Sequence, residues 1–281
     1  MSKFEIKKGI NAALDGNGKS IVDIEFLGIG GAFDTEEGNS SALLKTKSGL
    51  FFLIDCGATA YAKLRKKGII DKIGSVFITH THEDHISGLS TLIYERYYIH
   101  KMITEIQCTP EVSVMVKSYL DICGHPSEQY VLNTENHIYN EVEQMSITKI
   151  DTTAHHWPYP GFANSGLLFH FKTGDDYVVV IYSGDINIPI TNLMSQEEYP
   201  FVYNKPENVF IFHDMTSLEH EQNPHTNFEL LRDTMKEFRN LFTYHHGEEQ
   251  VALINQTDSV MASTSLIVQG ESFVIKEILG V

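Results

Sequence analysis

The sequence lacks a membrane-length apolar run. Its longest apolar stretches, such as Tyr177–Tyr182, are strand-sized, and the N-terminal Met1–Ser20 has no apolar core of the kind that drives secretion. A membrane partner is therefore not expected, and the reading is of a soluble, cytoplasmic protein. Cysteine is scarce: Cys56, Cys108 and Cys123 are an odd number at no metal-like spacing. That argues against a disulfide framework and predicts reduced, buried thiols. Basic residues are also short, with 21 Lys+Arg against 37 Asp+Glu and a net charge of −16. Such a field repels polyanions and opposes nonspecific contact with DNA, RNA or acidic membranes. Only 8 of the 281 residues are Pro, and no repeat, low-complexity tract or Pro/Ser-rich linker is visible. One domain over residues 1–281 is expected rather than two. With 42% hydrophobic and 21% charged residues, fibrous and unfolded classes are excluded.

What the sequence has in excess is histidine: 14 residues, nine of them in five short segments. Their surroundings alternate between strand and helix patterns. Ser20–Gly28, Ser41–Thr46, Gly49–Asp55 and Ser75–Thr79 read as strands forming a meander of hairpins. Ile103–Cys108, Ser146–Thr152, Leu167–Lys172, Tyr177–Ser183 and Val209–His213 form a second β-rich set, with Gly174-Asp175-Asp176 as a hairpin turn. Helical spacing appears at Tyr61–Lys67, Gly88–Ile99, Pro110–Ile122 and Asn227–Leu241. The order implies two packed sheets with helices on their outer faces, a four-layer αββα arrangement of the α/β class.

The chemistry concentrates at Thr79-His80-Thr81-His82-Glu83-Asp84-His85, directly after the apolar strand Ser75–Thr79. Three His and an Asp within six residues at a strand end can be aimed at one point, which suits metal binding. On an extended segment His80 and His82 point the same way, while Asp84 and His85 lie past the bend and face a second point. That geometry suits two metals. Asp185, closing the apolar run into Tyr182-Ser183-Gly184, is a hard oxygen donor able to span two cations whose remaining ligands are imidazoles.

His80, His82, Asp84 and His85 match in full the H-x-H-x-D-H motif, and the chain resembles the metallo-β-lactamase superfamily over nearly its whole length. Ile24–Gly31 is similar to that family's opening strand and Gly-rich turn, and Asp55-Cys56-Gly57 to its D-x-G signature. The nearest resemblance is to the phosphodiesterase branch containing tRNase Z and cyclic-nucleotide phosphodiesterases. In the segment Ala154-His155-His156-Trp157-Pro158-Tyr159-Pro160-Gly161-Phe162, the family spacing selects His155 as the next ligand, with His156 its neighbour. Tyr182-Ser183-Gly184-Asp185 resembles the segment whose carboxylate bridges two metals. His213-Asp214-Met215-Thr216 resembles an H-E-A-T segment, with Asp214 where Glu is usual, and His225-Thr226-Asn227 is similar to one whose His is a proton donor. The last ligand comes from Tyr244-His245-His246-Gly247, where the family pattern fits His245 better than His246.

The resemblance implies that His80, His82 and His155 hold one divalent ion, Asp84, His85 and His245 the other, and that Asp185 touches both. His225 would be the proton donor, with Asp214 orienting an imidazole nearby; Asp84 is counted with these catalytic residues as well as with the ligands. Zinc is the expected metal, with manganese the alternative. Two such ions about 3.5–4 Å apart supply a nucleophile at neutral pH and clamp a phosphoryl group. The tRNA-gripping arm of tRNase Z has no counterpart here: residues 101–151 hold three Lys, no Arg and eight Asp+Glu. A long nucleic acid is therefore disfavoured as partner, whereas a small phosphodiester needs no basic footprint beyond the metals. The compact, armless chain also resembles the anti-Pycsar phosphodiesterases of phages and bacteria. That implies hydrolysis of 3′,5′-cyclic nucleotides, pyrimidine and purine, to nucleoside 5′-monophosphates, with a tRNA 3′-endonuclease or another hydrolase of the fold as the alternative. Relatives in this branch are commonly homodimers, and the aromatic stretch around Tyr97-Tyr98 is a candidate contact, a base-stacking surface or a piece of core.

Overall fold

The computed structural model describes residues 4–9, 19–34, 36–156, 162–216, 225–245, 266–267 and 271–277. Strands β1 (Phe4–Gly9), β2 (Lys19–Gly28), β3 (Ser41–Thr46) and β4 (Phe51–Ile54) precede helix α1 (Ala58–Lys67), and β5 (Ile73–Phe77) leads to the short helices α2 (Glu83–Ile86) and α3 (Leu89–Tyr94). Next come β6 (Thr104–Gln107), α4 (Pro110–Ile122), β7 (Tyr130–Asn133), β8 (His137–Asn140) and β9 (Met145–Asp151). The remainder comprises β10 (Ser165–Thr173), β11 (Asp176–Tyr182), α5 (Pro200–Asn204), β12 (Val209–Asp214), α6 (Phe228–Glu237), β13 (Asn240–Tyr244) and β14 (Ser272–Glu277). Hydrogen bonds join them into two sheets, ordered β1-β14-β2-β3-β4-β5-β6-β7 and β13-β12-β11-β10-β9-β8.

Alternation along the strands divides the core into three layers. Phe26, Leu44, Phe52, Ile54 and Phe77 of the first sheet meet Ile147, Phe169, Val180, Phe210, Phe212 and Phe242 of the second, all buried. Their in-between neighbours Leu43, Leu53, Val76 and Ile106 turn outward onto Leu64, Leu89, Leu92, Val112 and Val116 of α1, α3 and α4. On the far side Leu168, Val179, Ile181 and Ile211 pack against Val202, Leu231 and Met235 of α5 and α6. The result is the four-layer α/β/β/α order expected from the sequence.

Local chemistry fixes the helix ends. Thr109 caps α4 by accepting from the Val112 N–H, with Pro110 in the first turn, and Asn227 caps α6 by accepting from Leu230. Gly68 ends α1 in the left-handed region at φ 66° behind Arg65, Lys66 and Lys67, which complement the helix dipole.

The structure corrects several expectations. β2, β3 and β4 pair antiparallel as hairpins do, but β4 pairs with β5 in parallel, because α1 crosses over between them. The helix expected over Gly88–Ile99 is α-helical only to Tyr94 and continues as a π-helical turn over Glu95–Ile99. That turn splits the aromatic stretch: Leu92, Ile93 and Arg96 are buried, while Tyr98 and Ile99 face solvent. The helix expected over Asn227–Leu241 stops at Glu237, and Asn240 and Leu241 already belong to β13. Cys56 and Cys108 are buried and Cys123 is half-buried; all three are free thiols.

Lys149 of β9 is nearly buried and ties the two sheets together, its Nζ donating to the carbonyls of Cys108 and Asn133. Burial pulls its pKa down from 10.5 to about 8. The folded chain therefore binds fewer protons than the unfolded chain between those values, and stability rises with pH across that window. Denaturant titrations of Lys149→Met are expected to lack this rise, so the gap between variant and wild type should change steadily between about pH 8 and 10.

Candidate metal centre

The site forms where strand ends of both sheets meet. On the first sheet, Asp55 follows β4 with a left-handed φ of 58° and is fully buried. Its Oδ1 accepts from the Thr79 N–H and its Oδ2 from the Thr79 hydroxyl, both at 2.8 Å, which fixes the start of the His80–His85 loop. The same Oδ2 accepts from His85 Nδ1 at 2.9 Å and so turns Nε2 of that ring inward. The loop can lie this close only because Gly57 and Gly88 lack side chains: a Cβ at Gly57 would come within 2.1 Å of the Asp84 carbonyl oxygen, and one at Gly88 within 2.4 Å of the Gly57 carbonyl oxygen. Asp55 had no role in the sequence reading, although the D-x-G signature was visible; its task appears only when His85 is placed.

The second sheet supplies the opposing half. Asp185 follows β11 after Gly184, which sits at φ 64°. The Asp185 carbonyl accepts from His156 Nδ1 at 3.2 Å, directing His156 Nε2 into the site. Thr79 is bound across the seam, its carbonyl accepting from both the N–H and the hydroxyl of Ser165. His245, in the left-handed region at φ 66°, directly follows β13 and brings Nε2 to 3.3 Å from Asp84 Oδ2.

Four overlapping donor groups result among the described residues: Asp185 belongs to two of them, with His80 and His85 and with His225 and His245, and the other two share no residue. Of those two sets, His80, His82 and His156 form one, and Asp84, His85 and His245 the other, each with donor atoms within 4.8 Å of one another. Asp185 lies between them, its Oδ2 3.6 Å from His80 Nε2, 3.4 Å from His85 Nε2 and 3.5 Å from His245 Nε2. Among the described residues, Nε2 of His85, Nε2 of His156 and Oδ1 of Asp185 are buried without a hydrogen-bond partner. Leaving such atoms unpaired costs about 1–3 kcal/mol each, so converging orphans of imidazole and carboxylate type fit a divalent ion.

The electrostatics agree with that fit. Burial, reinforced by the neighbouring imidazoles, pulls His80 and His156 down and His82 to about 4, which keeps these rings neutral and ready to donate a lone pair. Burial also opposes charge on His85 and His245, but the carboxylates of Asp185 and Asp84 outweigh it and raise both, His245 to about 9. Burial likewise opposes charge on Asp84 and Asp185, and the facing imidazoles outweigh it, so both carboxyls are held well below the usual carboxylate range. A pair of anionic carboxylates thus sits at the centre, and it favours positive charge there.

Beside the cluster, His225 Nδ1 donates to Asp214 Oδ2 at 2.7 Å and lies 3.9 Å from Asp185 Oδ2. Asp214 is fully buried and also accepts from the Ile186 N–H at 3.3 Å. Its neighbour His213 is occupied elsewhere, donating to the Asp214 carbonyl and accepting from Ile190 N–H. Phe162 stacks on His82 with ring centroids 4.6 Å apart and shields that side.

The structure brings together His80, His82, Asp84, His85, Asp185 and His245, with His225 and Asp214 alongside. His155 is not among them. It closes a short 3₁₀ turn (Thr153–His155), stands half-exposed, and its carbonyl accepts from Asn187 N–H, while His156 takes the inward position beside His80 and His82, at ring-centroid distances of 4.8 Å. His246 lies outside the described residues, as do Trp157–Gly161. His125 and His137 are bound locally, to Ser90 and Gln129 and to Thr148.

Comparison with known proteins agrees with this architecture. The metallo-β-lactamase fold protein YhfI from Bacillus subtilis superposes with a TM-score of 0.65 at 15% identity, covering 90% of this chain and 99% of that one. Human tRNase Z, short form, superposes with a TM-score of 0.59 at 19% identity, covering 81% and 94%. The fold is therefore that of the metallo-β-lactamases. In sequence, an anti-Pycsar protein Apyc1 from Saccharibacillus brassicae is 35% identical over 80 residues, 28% of this chain and 33% of that relative, so the aligned stretch spans only a third of its length. The family model for anti-Pycsar protein Apyc1, in contrast, matches residues 22–273, which takes in Asp55, both donor sets and the His225–Asp214 pair. The chain belongs to the anti-Pycsar protein Apyc1 family.

Proposed function

We propose that the protein is a dinuclear metal-dependent phosphodiesterase that opens 3′,5′-cyclic nucleotides to nucleoside 5′-monophosphates. The observation that carries this reading is the Asp185 carboxylate, buried between two three-residue donor sets with one oxygen unpaired and the other within 3.6 Å of three imidazoles. His80, His82 and His156 would hold one ion, Asp84, His85 and His245 the second, and Asp185 both. Two ions held there, zinc or manganese, would supply Lewis-acid polarisation of water and of the phosphoryl oxygens.

The chain's own residues do the rest. Asp55 and the Asp185 carbonyl hold protons at Nδ1 of His85 and His156, leaving each Nε2 to face the site. Asp214 fixes the His225 ring by accepting from its Nδ1, within reach of the position a phosphodiester takes beside Asp185. His225 then protonates the departing ribose oxygen. The acidic balance of the chain supports a small, singly charged substrate over tRNA, the second reading suggested by the tRNase Z likeness. Exposed Tyr98, Ile99 and Ile103 support a homodimer contact.

The test is a panel of cCMP, cUMP, cAMP, cGMP and pre-tRNA, with bound metal quantified. Cyclic-nucleotide hydrolysis lost on chelation and restored by zinc or manganese, at two ions per chain, is the expected result. Cleavage of pre-tRNA alone would move the assignment to the endonuclease. His225→Ala is expected to lower kcat by about 10²–10⁴-fold with metal content unchanged; loss of metal in that variant would instead make His225 a ligand.

A further inference from the structure

Phe33 is the most exposed large apolar side chain among the described residues, with 98% of its surface in solvent. Described residues on either side of it are tied by hydrogen bonds. Asp34 N–H donates to the Gly31 carbonyl at 3.2 Å, and the Asp34 carboxylate accepts from the N–H groups of Glu36 and Glu37 at 3.0 and 2.8 Å. At the base, Gly30 N–H donates to the Gly38 carbonyl and Ser40 N–H to the Gly30 carbonyl. This loop runs against the metal centre: a Cβ at Gly31 would lie 3.2 Å from Cε1 of His245. Two residues on, Phe33 has its Cα no more than about 7 Å from that of Gly31.

An aromatic ring held in water beside a phosphodiester site forgoes burial and offers a stacking face. The same loop carries Asp34, Glu36 and Glu37, which oppose an extended polyanion but leave an uncharged base unaffected. We infer that Phe33 is a specificity-determining residue that stacks on the nucleobase while the phosphate lies among the donor sets. This rests on the phosphodiesterase reading above. Stacking of this kind acts alike on bound substrate and transition state, so its loss falls on KM rather than kcat.

The experiment compares the metal-loaded wild type with Phe33→Ala and Phe33→Trp. Substrates are cAMP, cCMP and the base-free methyl ribofuranoside 3′,5′-cyclic phosphate, with mass by light scattering. Phe33→Ala is expected to raise KM for cAMP about tenfold, and less for the smaller cytosine ring, with kcat within about twofold. Phe33→Trp should restore KM, and the base-free substrate should be indifferent to either change. An unchanged KM for both nucleotides, an equal rise for the base-free compound, or a shift in mass for Phe33→Ala would overturn the inference. Wild type that hydrolyses no cyclic phosphodiester overturns the functional reading itself, an outcome seen without any variant.

Discussion

Asp185→Asn is expected to lower kcat/KM for phosphodiester hydrolysis by about a thousandfold, the loss of several kcal/mol of charge stabilisation at the reacting centre. The substitution keeps the size and shape of the side chain, so the effect isolates charge. In the wild type, one carboxylate oxygen stands 3.4–3.6 Å from Nε2 atoms of three histidines drawn from both sheets. An amide in that position presents a neutral oxygen or an N–H donor, and an N–H facing His80 or His85 opposes a cation there. Bound metal should fall below two ions per chain, since the residue proposed to span both sets then offers no negative charge. Metal analysis and kinetics on the same preparation check the two parts together. Full metal content with full activity would remove Asp185 from the centre.

The second large effect separates two adjacent residues. His156→Ala is expected to weaken metal binding by at least about a hundredfold, beyond the 10–100-fold usual for residues that merely orient a ligand, and to abolish turnover at limiting metal. His155→Ala should leave both within about twofold of wild type, as surface substitutions away from a site do. The contrast follows from where the rings point: His156 is buried beside His80 and His82 with Nε2 unpaired, while His155 is half-exposed and engages Asn187 through its backbone. A metal titration of both variants decides the matter, and the reverse ranking would reinstate His155.

That pair also shows how far the sequence was legible. His80, His82, Asp84 and His85 are readable because they crowd one strand end, where alternation alone sorts them into two directions. Asp185 is readable because it closes an apolar strand, whereas His245 is separated from His246 only by the family resemblance. The step between His155 and His156 is different in kind: the two are neighbours in a short turn, and which ring faces in is decided by the Asp185 carbonyl, 29 residues further on. Asp55 escaped for the same reason, since its partners Thr79 and His85 lie 24 and 30 residues away. In the fold, the inter-sheet strands were visible through their apolar content, whereas β7 and β8 are short edge strands with half-exposed positions. β1 and β14 pair with each other from opposite ends of the chain, which no local pattern signals.

Each half of the centre is braced within its own sheet: His85 by Asp55 beside β4, His156 by the backbone after β11. The halves meet through contacts such as Asp84 with His245, 161 residues apart, and Ser165 with Thr79. High metal affinity should therefore arise late in folding, when two preassembled units dock. A chromophoric chelator in competition during refolding would act as a clock for that event. It would separate mutations that slow docking from those that weaken either sheet alone.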